Sequence, residues 1–143
     1  MTRTTLPVAA HVFLLHAGAV LLLRRRDTGF EDGNYGPPGG HLDGGEPATS
    51  AAIRECREEA GVGIAPGDLR AAGVAHYTSP TGEGIDFFFV ATRWTGDPAP
   101  RAQCDEVRWC PLDALPTNTI PFVRRAIEHH LRAGQWFDEL GWT

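Results

Sequence analysis

The sequence predicts an α/β fold in which a mixed β-sheet lies sandwiched between helices. Three observations predict it. Apolar segments of strand length and composition recur at Val8–Leu15, Val20–Arg26, Leu69–Tyr77 and Ile85–Trp94. Two segments have helical spacing instead, Pro47–Ala60 and Thr119–Ala133. The two kinds alternate, strands then helix and strands then helix, as layered α/β domains do.

The elements follow in chain order. Ala17-Gly18 marks a turn, so the first two strands form a hairpin. Asp27–Gly40 is rich in Gly and Pro and reads as a loop. Pro47 suits the first turn of the first helix, and Gly61 suits its left-handed end. Ala48, Ala51, Ala52 and Cys56 give this helix a small-residue face that can approach a sheet closely. The next two strands turn at Ser79–Gly84. Glu106–Cys110 is a short strand and Pro111–Leu115 a helical turn. In the second helix Ile120, Val123, Ile127 and Leu131 line one face. An aromatic, acidic tail over 135–143 can fold on its own domain, line a pocket or form a dimer seam, and packing on its own domain is favoured.

Length and composition set limits. The chain has 143 residues, 42% apolar and 22% charged, which suits one domain over 1–143. No apolar run reaches membrane-spanning length, and no signal-peptide cleavage pattern is present. Three cysteines without a CxxC or His/Cys cluster point to a reducing cytoplasm and to no disulfide or zinc framework. The net charge of −5 argues against a nucleic-acid polymer as partner. A small polyphosphate remains compatible if a divalent cation offsets the charge.

The densest chemistry is Arg54-Glu55-Cys56-Arg57-Glu58-Glu59. Helix positions i, i+3 and i+4 share a face, so Glu55, Glu58 and Glu59 present three carboxylates toward one point. Unneutralised, each adjacent pair costs roughly 0.2–0.5 kcal/mol. A hard cation such as Mg²⁺ turns that repulsion into coordination and keeps waters for a phosphate substrate. A solvated face paired with Arg54 and Arg57 explains the same string taken alone.

What precedes the string decides between them. Gly40, Glu46, Arg54-Glu55, Cys56, Glu58-Glu59, Gly61 and Val62 stand at the spacings of G-x5-E-x7-R-E-U-x-E-E-x-G-U, with U aliphatic. This closely resembles the Nudix box, here residues 40–62, and the chain is similar to the MutT-like branch of that family. Cys56 at the first U position is the one departure, and it reads as a small buried hydrophobe. The resemblance implies the Nudix α/β/α fold and hydrolysis of a phosphoanhydride bond with Mg²⁺, which Mn²⁺ can replace. It implies that Glu55, Glu58 and Glu59 bind metal, joined by the Gly39 carbonyl. Glu55 is also a candidate general base, and Arg54 orients a helix carboxylate. Glu46 ties the loop to the helix, while Gly40 and Gly61 give tight backbone geometry.

Further candidates lie outside the box. A fourth acid after the central strands falls to Asp105 or Glu106, with Glu83 and Asp86 weaker. Arg24 and Arg25 end the second strand near the expected phosphate path. Asn118 resembles a purine-reading Asn of MutT-type proteins, and it is equally a good helix cap. Phe88, Tyr77 and Phe30 could stack on a base, and none is singled out. The side signatures of the ADP-ribose, coenzyme A and diadenosine polyphosphate classes do not fit cleanly. The expected substrate is a nucleoside triphosphate, cleaved to a monophosphate and pyrophosphate. The alternatives are another nucleoside diphosphate-linked or biosynthetic diphosphate, and a non-catalytic nucleotide-binding regulator. The protein is expected to be a monomer or homodimer.

Overall fold

The computed structural model describes residues 2–143. The chain runs through β1 (Val8–His16), β2 (Ala19–Arg25), β3 (Tyr35–Gly36), β4 (Gly39–His41), α1 (Ala48–Ala60), β5 (Arg70–Ser79), β6 (Gly82–Ala91), β7 (Cys104–Pro111), α2 (Pro121–Ala126) and β8 (Phe137–Leu140). The sheet order is β3-β2-β1-β6-β5-β8, with β4 paired to β1 and β7 paired to β2. The β1–β6 and β5–β8 ladders are parallel, while β1–β2, β1–β4, β2–β7 and β5–β6 are antiparallel. The sheet is mixed, as expected.

Strand alternation builds two apolar layers from one sheet. Ala10, Val12 and Leu14 of β1, Leu21 and Leu23 of β2, and Phe89 and Ala91 of β6 meet Ala51, Ala52, Cys56 and Ala60 of α1. Their neighbours Phe13, Val20, Leu22, Phe88 and Val90 meet Val123, Ala126 and Ile127 on the other face. Strands buried on both faces read as continuous apolar runs, which is why VFLL and VLLL carry no polar alternation. The small face of α1 packs as expected. Cys56 is fully buried, and desolvation pushes its thiol far above the usual range, so it is packing and not a nucleophile.

Several local expectations change. Pro47 is the residue before the helix, extended at φ −66° and ψ 154°, and α1 begins at Ala48. Gly61 ends α1 at φ +73° as predicted, its N–H donating to the Arg57 carbonyl at 3.2 Å. The Asp27–Gly40 loop contains β3 and the start of β4, which its Gly/Pro content conceals. Pro111 ends β7, and the expected turn follows as a single turn in which the Ala114 N–H donates to the Pro111 carbonyl at 3.1 Å. The second helix starts at Pro121 and not at Thr119. Thr119 is held extended, its hydroxyl donating to Pro116 at 2.7 Å, and Ile120 N–H donates to Tyr35 at 2.9 Å. Beyond Ala126 the helix widens to π-type turns over Ile127–Arg132. The tail packs on its own chain, as favoured, by adding β8 to the edge of β5.

Candidate functional site

The helix acids sit where α1 faces the β4 loop. β4 lies on β1 with Gly39 opposite His11 and Gly40 opposite Ala10. That register carries the Gly39 N–H to Glu59, which accepts it at 2.7 Å. Backbone crowding requires glycine at Gly39, and at Gly40 a side chain would push the Glu55 carboxylate aside. A Cβ at Gly39 would lie 2.5 Å from His11 Nδ1 and 2.6 Å from the Ala10 carbonyl, and one at Gly40 would lie 2.5 Å from Glu55 Oε1.

The three acids are not equivalent. Burial pushes the Glu59 carboxyl up to about 7, with Glu55 and Glu58 adding to the rise and the Gly39 N–H and Arg25 opposing it. Burial also raises Glu55, against the pull of Arg54. Glu58 is the most exposed, with 53% of its side chain open. Arg54 ties the group together. Its Nη1 is 3.0 Å from Glu55 and 3.3 Å from Glu58, while Nη2 reaches Glu46 at 2.7 Å and Nε reaches it at 3.3 Å. Glu46 also accepts the Asp43 N–H at 2.9 Å, closing the loop onto the helix.

The expected convergence of three carboxylates on one point needs correction. Among the described residues, no three His, Cys, Asp or Glu side chains already surround a metal position. Glu55 and Glu58 lean on Arg54, because a guanidinium is the available counter-charge. The donor chemistry still fits a hard cation. The cluster offers oxygen atoms only, and Glu59 is desolvated without an ion-pair partner of its own among the described residues.

The other sequence candidates fall on two sides of the sheet. Leu21 and Leu23 face α1, and Arg25 continues that alternation close enough to affect Glu59. Its Nε donates to the Phe30 carbonyl at 2.7 Å, and its guanidinium lies 5.3 Å from the Phe30 ring centroid. Arg24 follows Leu22 to the opposite side and pairs with Asp105 at 2.7 Å. The β2–β7 register shifts between Arg24 and Arg25, so Asp105 bulges out and Glu106 pairs across from Arg24. Glu106 accepts a hydrogen bond from the Tyr35 hydroxyl. Neither candidate fourth acid joins the α1 acids here, because Arg24 and Tyr35 engage them. Asn118 does not cap α2, whose preceding residue is Ile120. Instead its amide donates to the Gly33 carbonyl at 2.9 Å and fastens the β2–β3 loop. Phe88 is core, 1% exposed, whereas Phe30 is 54% exposed.

Asp86, a weaker candidate for the fourth acid, instead pairs with a histidine that has no expected role. His11 and Asp86 meet at 3.0 Å with 12% and 10% of their side chains exposed. The available signal was a charged or titratable residue inside an otherwise apolar strand, AAHVFLL and GIDFFFV.

Comparison with known proteins agrees with this architecture. Two curated NAD-capped RNA hydrolases NudC, from two strains of Pseudomonas aeruginosa, are each 31% identical over 121 residues, 84% of this chain. This chain spans 41% of their length. The crystal structure of a MutT Nudix hydrolase from Burkholderia pseudomallei superposes with a TM-score of 0.80 at 25% identity, covering 87% of this chain and 98% of that one. A MutT protein from Methanosarcina mazei Go1 has the same fold at 19% identity, with a TM-score of 0.79 and coverage of 94% and 99%. The NUDIX domain model matches residues 5–131, so the chain belongs to the Nudix family.

Proposed function

We propose that this protein hydrolyses nucleoside triphosphates to nucleoside monophosphate and pyrophosphate, using a divalent cation held by α1. The observation that carries the reading is the desolvated Glu59 carboxylate, fixed by the Gly39 N–H beside Glu55 and Glu58. Glu55, Glu58, Glu59 and the Gly39 carbonyl would hold Mg²⁺ or Mn²⁺. When bound, the cation polarises a phosphoryl oxygen and lowers the pKa of water.

The protein groups do the rest. Arg54 holds Glu55 and Glu58 in reach, and Glu46 holds Arg54. Arg25 supplies positive charge on the acid side of the sheet for the substrate phosphates. Glu55 is the candidate to take the proton of the attacking water. The new bond joins water oxygen to one of the two bridged phosphorus atoms, the bridging P–O bond breaks, and its electron pair leaves on the other product, nucleoside monophosphate or pyrophosphate. No covalent enzyme intermediate is needed, since positioning and electrostatics carry the barrier reduction. Arg24 and Asn118, beside Tyr35 and the 27–34 loop, are candidates to contact the sugar or base.

A substrate panel with Mg²⁺ tests the reading. Pyrophosphate release from a nucleoside triphosphate supports it, and inactivity on all of them removes it. Glu59→Gln should lower kcat by at least about 100-fold, the scale of a lost several-kcal/mol metal contribution.

A second reading is favoured by the 31% identity to NAD-capped RNA hydrolases. In it the same acids cleave a nucleoside diphosphate-linked substrate. The panel should therefore include a dinucleotide diphosphate, free and at the end of an RNA. Two nucleoside monophosphates, with no pyrophosphate, would mark this outcome.

A further inference from the structure

His11 and Glu59 touch opposite sides of the same residue. β1 sends Ala10, Val12 and Leu14 toward α1, so His11 faces α2. Gly39 lies against it in the β1–β4 ladder, and the Val12 N–H donates to the Pro38 carbonyl at 2.9 Å. The missing Cβ of Gly39 would stand 2.5 Å from His11 Nδ1, so the imidazole fills that side. On the other side the Gly39 N–H points at Glu59, 2.7 Å away.

The imidazole is itself fixed. Its Nε2 meets Asp86 at 3.0 Å, its ring stacks on Phe88 at 5.2 Å and 24°, and Phe122 closes it at 5.4 Å. Asp86 is 7% exposed and sits beside Ala9 in the β1–β6 ladder. A carboxylate accepting a hydrogen bond from one ring N–H fixes both the tautomer and the ring plane.

We propose that the His11–Asp86 pair is a positioning device that holds Gly39 so that its N–H and carbonyl set the Glu59 end of the metal site. It rests on the reading that Glu59 holds the cation. The pair would act from the back of the sheet, through one glycine, without touching substrate. A polar pair serving only as core packing would affect stability and leave metal affinity alone.

The test is Mn²⁺ affinity, measured by electron paramagnetic resonance on purified variants, with Tm and steady-state kinetics alongside. His11→Leu and Asp86→Ala should weaken Mn²⁺ binding about 10-fold or more, the usual scale for residues that orient ligands. They should lower kcat by a similar factor with nucleotide KM within about twofold. Asp86→Asn keeps an acceptor for the ring N–H and should recover most of the loss. His130→Phe is the control, because His130 packs on the same Phe88 ring at 5.2 Å without reaching Gly39. It should move Tm and not Mn²⁺ affinity. Wild-type Mn²⁺ affinity in His11→Leu, or equal affinity in Asp86→Ala and Asp86→Asn, overturns the proposal. Unchanged affinity in Glu59→Gln overturns instead the reading on which it rests.

Discussion

Arg54 grips Glu46 at two points, Nη2 to Oε1 at 2.7 Å and Nε to Oε2 at 3.3 Å. The same guanidinium reaches Glu55 and Glu58 through Nη1. A planar fork can serve loop and helix at once, and an ammonium on a flexible stem cannot. Arg54→Lys should therefore keep the charge and lose the geometry. The expected result is a kcat lower by about 10-fold with nucleotide KM within about twofold, as for other residues that orient ligands. Steady-state kinetics at saturating Mg²⁺ checks it, and an unchanged kcat would show that charge alone suffices.

Glu59 ties stability to pH with a definite sign. Its carboxyl is raised from an ordinary 4.5 to about 7, mainly by burial. Below 4.5 folded and unfolded chains both hold the proton, and stability is unaffected. As pH rises through the window to about 7, the unfolded chain ionises first and metal-free stability is lost. The shift corresponds to at most about 3 kcal/mol. Glu59→Gln should raise the metal-free Tm at pH 8 and change it little at pH 4. Thermal unfolding in chelator decides it, and an equal Tm change at both pH values would refute the linkage.

Much of this is legible in the sequence alone. The β1–β2 hairpin, α1 and its Gly61 end were readable because period and punctuation are local properties. The spacing of Glu55, Glu58 and Glu59 placed them on one helix face for the same reason. What stayed hidden depends on contacts distant in sequence. β3 and β4 are two and three residues long, and only their partners make them strands. Asn118 looked like a helix cap, yet its amide bonds Gly33, 85 positions away. Arg24 and Arg25 look alike, and strand alternation sends them to opposite faces, where Arg24 meets Asp105, 81 positions away, and Arg25 comes near Glu59. The π-type turns after Ala126 carry no period that a helical pattern would flag.

That separation makes a prediction. Arg25 acts on Glu59 electrostatically, whereas Arg24 is spent on Asp105. Arg25→Ala should raise nucleoside triphosphate KM by about 10-fold, close to one charge-assisted hydrogen bond. Arg24→Ala should raise it less. Kinetics on the two variants, with a nucleoside diphosphate as a second substrate, checks the order. A larger effect from Arg24 would move the phosphate path to the Asp105 side of the sheet.

The tail should be acid-sensitive. His130 is 5% exposed, and its Nδ1–H donates to the Gln135 carbonyl at 2.6 Å, just before β8. Among the described residues, its buried Nε2 has no hydrogen-bond partner. Burial holds the imidazole below its ordinary value of 6.5, and neighbouring His129 and Arg125 oppose its charge while Asp138 favours it. The Gln135 carbonyl opposes the shift without reversing it, so the folded protein takes up this proton less readily than the unfolded chain. Stability from this site is full above about 6.5 and falls as pH drops below that, because the unfolded chain takes the proton first. Arg125 continues to hold Asp138 at 2.8 Å in this range, since that pair depresses the Asp138 carboxyl below its usual value. Loss of docking should therefore start at the Ile127–Gln135 segment. Lowering pH from 7.5 to 5.5 should speed amide hydrogen exchange in residues 127–140 relative to β1 and β6, and His130→Phe should remove that acceleration. Equal acceleration in the variant would assign the acid sensitivity to some other group.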